Sequence, residues 1–266
     1  AEYPHCDGLP HNGSHVIDTA RIFSTSCTWH GNPGLQVTLK ETLTFRGNLV
    51  LKGEIQIMGE QELDGPCINV SGKMTVIAAN ASFVGCRNRM KDGKGGALFI
   101  QRDLIVSNSG VKFENCRASE GGGLYTFGSF LQDAESMVTF ENCTAFSGGG
   151  AHVNENFTQG RNSSAIFRSC SASKHGGGLY AGNLFTGGSF LQEAESTATF
   201  ENCTSGRDGG GARVKTFTQG AKSSAIFRSC STASFGGGLY TLGSFSQEAE
   251  STVTFENCTR ASVASG

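Results

Sequence analysis

The phrase Phe-x-x-Cys occurs seven times in this chain, at Phe83–Cys86, Phe113–Cys116, Phe140–Cys143, Phe167–Cys170, Phe200–Cys203, Phe227–Cys230 and Phe255–Cys258. Successive cysteines lie 30, 27, 27, 33, 27 and 28 residues apart. A period in this range marks a solenoid, in which each unit buries its apolar face only by stacking on the next. A glycine cluster follows each of the first six cysteines: Gly95-Gly96, Gly121–Gly123, Gly148–Gly150, Gly176–Gly178, Gly209–Gly211 and Gly236–Gly238. A second aromatic column stands ten residues before the first, at Phe130, Phe157, Phe190, Phe217 and Phe245. Two residues beyond each of these comes a glutamine, at Gln132, Gln159, Gln192, Gln219 and Gln247.

The local period decides between strand and helix. Thr252-Val253-Thr254-Phe255 and Thr197-Ala198-Thr199-Phe200 alternate polar and apolar, as half-buried strands do. Leu35–Leu39 and the stretch from Leu49 to Ile57 read the same way. No segment combines helical periodicity with caps, and a glycine cluster in each coil favours tight bends. The expected fold is all-β: a parallel β-helix of about nine coils of ~27–30 residues, right-handed by the rule for parallel crossovers. Residues 1–34 read as an irregular cap, 35–259 as the β-helix and 260–266 as a tail.

In such a stack each coil rises by one strand spacing, ~4.8 Å, so equivalent positions lie above one another. The residue after the first Phe reads Glu114, Glu141, Arg168, Glu201, Arg228, Glu256, and from Glu141 onward an outward ladder pairs opposite charges. Five residues beyond the second Phe, Glu135, Asn162, Glu195, Lys222 and Glu250 suggest the same pairing. The glutamines predict a hydrogen-bonded amide ladder inside a bend.

A Phe-x-x motif followed by Gly-Gly-Ala/Gly-Leu resembles the repeats of chlamydial polymorphic outer-membrane proteins, over roughly residues 83 to 258. The resemblance implies the β-helical passenger of an autotransporter and an adhesive role at a cell surface. Cysteine stands throughout where that family has asparagine, and no β-barrel translocator follows up to Gly266. Similar repeats occur in proteins of eukaryotic microalgae, a source that suits the sequons below.

Ten cysteines and eight Asn-x-Ser/Thr triplets point to an extracellular or cell-surface setting. The sequons are at Asn12, Asn69, Asn80, Asn142, Asn156, Asn162, Asn202 and Asn257. For the column Cys86, Cys116, Cys143, Cys170, Cys203, Cys230 and Cys258, stacking brings Cα atoms within disulfide reach, but parallel Cβ vectors oppose the bond. Vertical disulfides, most naturally Cys143–Cys170 and Cys203–Cys230, and a ladder of buried free thiols both remain open. Cys6 and Cys27 read as a staple of the N-terminal segment.

Two residues after each glycine cluster, with Ala97 counted as the third member of the first, stand Phe99, Tyr125, His152, Tyr180, Arg213 and Tyr240, which from Tyr125 on alternate aromatic and cationic types. Facing outward they would form a carbohydrate strip centred on Phe99, Tyr125, Tyr180 and Tyr240; the competing reading is packing among themselves. Catalytic candidates are His152, His175, Arg207, Asp208, Arg213 and Lys215, at positions that vary between repeats, without a nucleophile or base constellation. His5, His11, His15 and His30 match no compact metal-ligand spacing. Asp133 with Glu135, Glu193 with Glu195 and Glu248 with Glu250 offer calcium too few oxygens. No cofactor motif is present, and the column Ser82, Lys112, Thr139, Ile166, Thr199, Ile226, Thr254 is too mixed for ice binding.

A net charge of −2 gives no electrostatic reason for nucleic acid as partner, and no apolar run reaches the ~20 residues of a membrane span. The expected function is an extracellular structural or adhesive repeat protein. End-to-end self-association into a filament or layer, or contact with surface components or glycans, supplies the partners. A carbohydrate-binding adhesin and a secreted polysaccharide-active enzyme are the alternatives.

Overall fold

The computed structural model describes residues 3–60, 62–182 and 187–260. Among them every regular element is a strand, and each pairs in parallel with its equivalent one turn away. The chain is a parallel β-solenoid. One face is a nine-stranded sheet from Arg21–Phe23 to Leu239–Thr241. Its rungs enclose about eight turns, one fewer than the sequence count. A 17-stranded sheet carries both phenylalanine columns, and a five-stranded sheet follows the cysteines.

The core is a set of side-chain columns. Phe83, Phe113, Phe140, Phe167, Phe200 and Phe227 stand in register, with ring centroids 4.6–5.2 Å apart. Phe130, Phe157, Phe190 and Phe217 form the second stack at 4.7–5.0 Å. Two residues along from the second stack runs the amide ladder: Gln192 Nε2 donates to Gln159 Oε1 (3.1 Å), Gln219 to Gln192 (3.0 Å) and Gln247 to Gln219 (3.0 Å). Buried amides are tolerable because each finds the next; Gln132 stands outside the ladder, its Nε2 donating to the carbonyls of Ser136 and Ser164 (2.8 Å each) and its buried Oε1 without a partner.

The glycine triplets have a division of labour. Gly176 takes a left-handed φ of 60°. At Gly177 an added Cβ would sit 2.1 Å from the Gly210 carbonyl oxygen of the next turn. At Gly178 it would press on Phe167 Cβ and the Phe200 ring at 2.9 Å. The residue before each cysteine from Cys116 onward is also left-handed, with φ of 51–55° at Asn115, Asn142, Ser169, Asn202, Ser229 and Asn257. Asparagine enters that region more readily than most residues, which accounts for its recurrence there.

Residues 14–31 form strands, not an irregular cap. Ser14–Ile17, Arg21–Phe23 and Cys27–Gly31 pair with Gln36–Leu39, Leu43–Phe45 and Leu49–Gly59 and make the first turn. Strand Thr259–Arg260 ends the description, so the remainder of the expected tail lies outside the described residues. In the last described turn Phe245 and Phe255 are 44% and 54% exposed.

Outward charges pair as the repeat implies. Lys112 lies 3.1 Å from Glu141, Arg168 3.0 Å from Glu201, and Arg228 2.6 Å from Glu256. Such surface pairs are worth at most about 1 kcal/mol each and mainly fix register. The second proposed ladder does not form: Glu135, Glu195, Lys222 and Glu250 occupy left-handed corners, and no ion pair links them among the described residues. Instead Glu193 and Glu248 accept hydrogen bonds from the backbone N–H groups of Arg161 (3.2 Å) and Ala221 (3.1 Å).

Candidate functional site: a hollow on the nine-stranded sheet

Phe99, Tyr125, His152, Tyr180, Arg213 and Tyr240 stand in register at the centre of this sheet. Their strand neighbours, such as Leu98 and Ile100, fill the core, so alternation turns this column outward. It is nevertheless no open strip. Tyr125, His152, Tyr180 and Arg213 are only 2–8% exposed, and Phe99 and Tyr240 are half-buried. Stacking upon one another is part of the cause: Tyr125 lies 4.7 Å from His152, His152 4.5 Å from Tyr180, and the Arg213 guanidinium 4.9 Å over Tyr180.

The rest of the cover comes from a parallel column, Lys94, Glu120, Ser147, His175, Asp208 and Phe235. Together the two columns enclose a hollow of about 390 Å³. Its floor is Tyr125, His152 and Tyr180, and its rim includes Lys94, Phe127, Phe146 and Lys174. Phe127 and Phe146, 41% and 49% exposed, are the aromatic surfaces a ligand reaches. Lys94 Nζ stands 4.3 Å from the Phe127 ring and Lys174 Nζ 5.2 Å from Phe146. Sequence reading missed both phenylalanines because they belong to no repeating column; an apolar residue at a non-repeating position was their only signal.

Of the catalytic candidates, four converge. His175 Nδ1 is 3.0 Å from Asp208 Oδ2, and Arg213 Nε is 3.8 Å from the same oxygen. His152 and His175 line the hollow; Asp208 and Arg213 are buried but do not line it, and Arg207 and Lys215 are exposed and do not line it either. His152 Nε2 lies 3.2 Å from the Gly182 carbonyl. A carbonyl only accepts, so Nε2 carries the proton and Nδ1 is left as an acceptor. That atom is buried without a hydrogen-bond partner, whereas His175 Nδ1 and Arg213 Nε face the Asp208 carboxylate. Unfilled buried polar atoms are costly and rare. In the hollow that leaves His152 Nδ1 as a buried acceptor with no hydrogen-bond donor of the chain on it.

Burial holds His152 down to about 3 and His175 to about 4, from an ordinary 6.5. Both rings are neutral in the fold, while the unfolded chain takes up their protons near pH 6.5. Their contribution to stability is therefore complete above pH 6.5 and falls as the pH drops towards 4. The slope is at most about 1.4 kcal/mol per pH unit for each ring. Urea unfolding at pH 7 and pH 5 checks this: His152→Gln should lose less stability between the two than the parent. Equal losses would remove neutral burial as the cause.

Cys6 and Cys27 are joined, with Cα atoms 5.0 Å apart. Cys86 leaves the column and is joined to Cys67, a pairing hidden in the sequence because Cys67 has no repeat equivalent. The vertical disulfides Cys143–Cys170 and Cys203–Cys230 are absent. Cys116, Cys143, Cys170, Cys203, Cys230 and Cys258 are free thiols. Side chains that emerge parallel hold each sulfur against carbonyls instead, such as Cys143 Sγ against the oxygens of Glu141 (3.4 Å) and Phe113 (3.7 Å). Burial pushes the Cys116 and Cys170 thiols well above their ordinary range, so they are poor nucleophiles. Titration of native protein with a thiol reagent should modify Cys258 at most, and denaturant should release all six; modification of several in the native state would contradict the ladder.

The asparagines at 12, 80, 142, 156, 162, 202 and 257 are exposed, and Asn69 is half-buried with an unpartnered oxygen. In the N-terminal histidine group, His11 and His15 bond the carbonyls of His30 and Asn12. No cluster of three or more metal-binding side chains occurs among the described residues, and no helix there is long and apolar enough to cross a membrane. The fold defines the class: a parallel β-solenoid repeat protein with a non-repeating polar hollow on one face. The chain matches no family model, no curated protein and no solved structure.

Proposed function

We propose that this chain is an extracellular adhesive repeat protein, with the solenoid as scaffold and the hollow as a carbohydrate-binding site. One observation carries the reading: two columns that could simply repeat instead place Tyr125, His152, Tyr180, Glu120 and His175 together, under a rim of exposed Phe127 and Phe146. Aromatic surface beside an unfilled acceptor suits a sugar, which offers an apolar ring face and many hydroxyls. Two disulfides and seven exposed sequons support an extracellular setting. The resemblance to chlamydial polymorphic outer-membrane proteins belongs to the same proposal.

Binding to a panel of neutral and charged polysaccharides tests it. The parent should bind at least one, and Phe127→Ala/Phe146→Ala should bind it about tenfold or more weakly. No binding to any member, or an unaffected variant, would overturn the assignment of the hollow. Shortening of the polymer in the same assay would move the protein to the polysaccharide-active enzymes.

A second reading rests on the exposed Phe245 and Phe255. A further coil would bury them, and end-to-end association of two copies supplies one. A sedimentation series in concentration tests this, with a mass that stays monomeric throughout as the contrary result.

A further inference from the structure

A second surface lies one corner away, on the side of the five-stranded sheet. Arg87 and Arg117 occupy equivalent positions in adjacent turns and are bridged in register. Both are exposed, and among the described residues neither forms an ion pair. Lys91 joins them on the wall of an open depression of about 740 Å³ that, among the described residues, no acidic side chain lines. Its floor continues along Ser119 and Thr144, and Phe146 closes it against the hollow described above.

This arrangement runs against the habit of the chain. In the ladder Glu141, Arg168, Glu201, Arg228 and Glu256, neighbouring turns set opposite charges together, and where the acids Glu114 and Glu141 stack in register Lys112 bridges both, at 2.7 and 3.1 Å. At Arg87 and Arg117 neighbouring turns set like charges together, which is unfavourable unless an anion lies between. The same column starts at Glu62, in register with Arg87, and continues beyond Arg117 as Thr144, Ser171, Thr204, Ser231 and Thr259, so the fold does not demand arginine there. The Cys67–Cys86 bridge fixes the residue next to Arg87. Two guanidiniums one strand spacing apart suit anionic groups carried in succession on one polymer.

We infer that Arg87, Lys91 and Arg117 form a binding shelf for a polyanionic glycan, whose chain runs past Phe146 into the hollow. The sugar identity of the polymer rests on the proposed function; the demand for negative charge rests on the arginines. Hydroxyl side chains beside the cations and a single exposed ring at the edge suit a sugar polymer better than stacked bases.

The test compares dextran sulfate, polygalacturonate, neutral dextran and single-stranded DNA as probes of the intact protein. A sulfated or carboxylated glycan should bind, more weakly as salt rises. Arg87→Gln/Arg117→Gln should weaken that binding at least about tenfold, and Arg87→Lys/Arg117→Lys should keep most of it. The difference between the first two probes separates sulfate from carboxylate as the preferred group. An unaffected glutamine variant, or anionic glycans bound no better than dextran, would overturn the shelf. Tighter binding of DNA than of either anionic glycan would overturn the glycan assignment. Neutral-polysaccharide binding lost in Phe127→Ala, which lines the hollow and not the shelf, reports separately on the hollow, so the two proposals can fail independently.

Discussion

Phe167→Ala should destabilise the protein by about 3–5 kcal/mol, the usual range for emptying a fully buried aromatic site. Phe167 is wholly buried between Phe140 at 4.9 Å and Phe200 at 4.7 Å, with both ring planes within 6° of its own. The loss removes two stacking contacts, each worth about 0.5–1.5 kcal/mol within that total. Collapse around the cavity is resisted because the strand spacing of the sheet, not the side chain, fixes the distance between Phe140 and Phe200. In a one-dimensional stack the interfaces on both sides weaken together. Phe255→Ala is the control: it occupies the same column in the last described turn, is 54% exposed, and should cost about 1 kcal/mol. Urea unfolding of both variants checks the contrast. Equal losses would mean that the column is not the continuous core described.

Gly177→Ala should cost about 3 kcal/mol or more, although it adds a single methyl group. The new carbon would meet the Gly210 carbonyl oxygen at 2.1 Å and the Thr204 oxygen at 2.4 Å. Both are backbone atoms of the neighbouring turn, and neither moves without opening the parallel pairing there. Gly34→Ala offers the comparison: nothing lies within 4 Å, but φ is +83°. Only the left-handed backbone is then penalised, by roughly 1–2 kcal/mol. Thermal unfolding should separate the two clearly. A Gly177→Ala protein as stable as Gly34→Ala would show that the turns are not packed backbone to backbone at this corner.

These cases show why some of the molecule was legible in sequence. Phe167, Gly177 and Gln192 each recur at a fixed offset, and stacking turns an offset into a contact. Where the period changes, that reasoning fails. Cys27 pairs with Leu49 and Leu49 with Met74, steps of 22 and 25 residues, so the first turn was read as an irregular cap. Cys67–Cys86 was hidden for the same reason. The hollow was half legible: His152, His175, Asp208 and Arg213 stood out as departures from the repeat, but their convergence needed the second column to fold over the first. Phe127 and Phe146 carried no periodic signal. Outward alternation at Tyr125 and Tyr180 was also insufficient, because a large side chain that points away from the core is buried when its neighbours stack upon it.

The in-register stack supports every other statement, and one distance tests it directly. Asn115 and Asn257 are exposed corner residues in one column, with Asn142, Ser169, Asn202 and Ser229 between them. Five strand spacings put their backbones about 24 Å apart. Spin labels attached at these two positions through a non-cysteine chemistry should give, by double electron–electron resonance, one narrow distribution near that value, broadened only by the label arms. A broad distribution, or a maximum beyond about 40 Å, far outside five strand spacings, would contradict the stack and every column drawn from it.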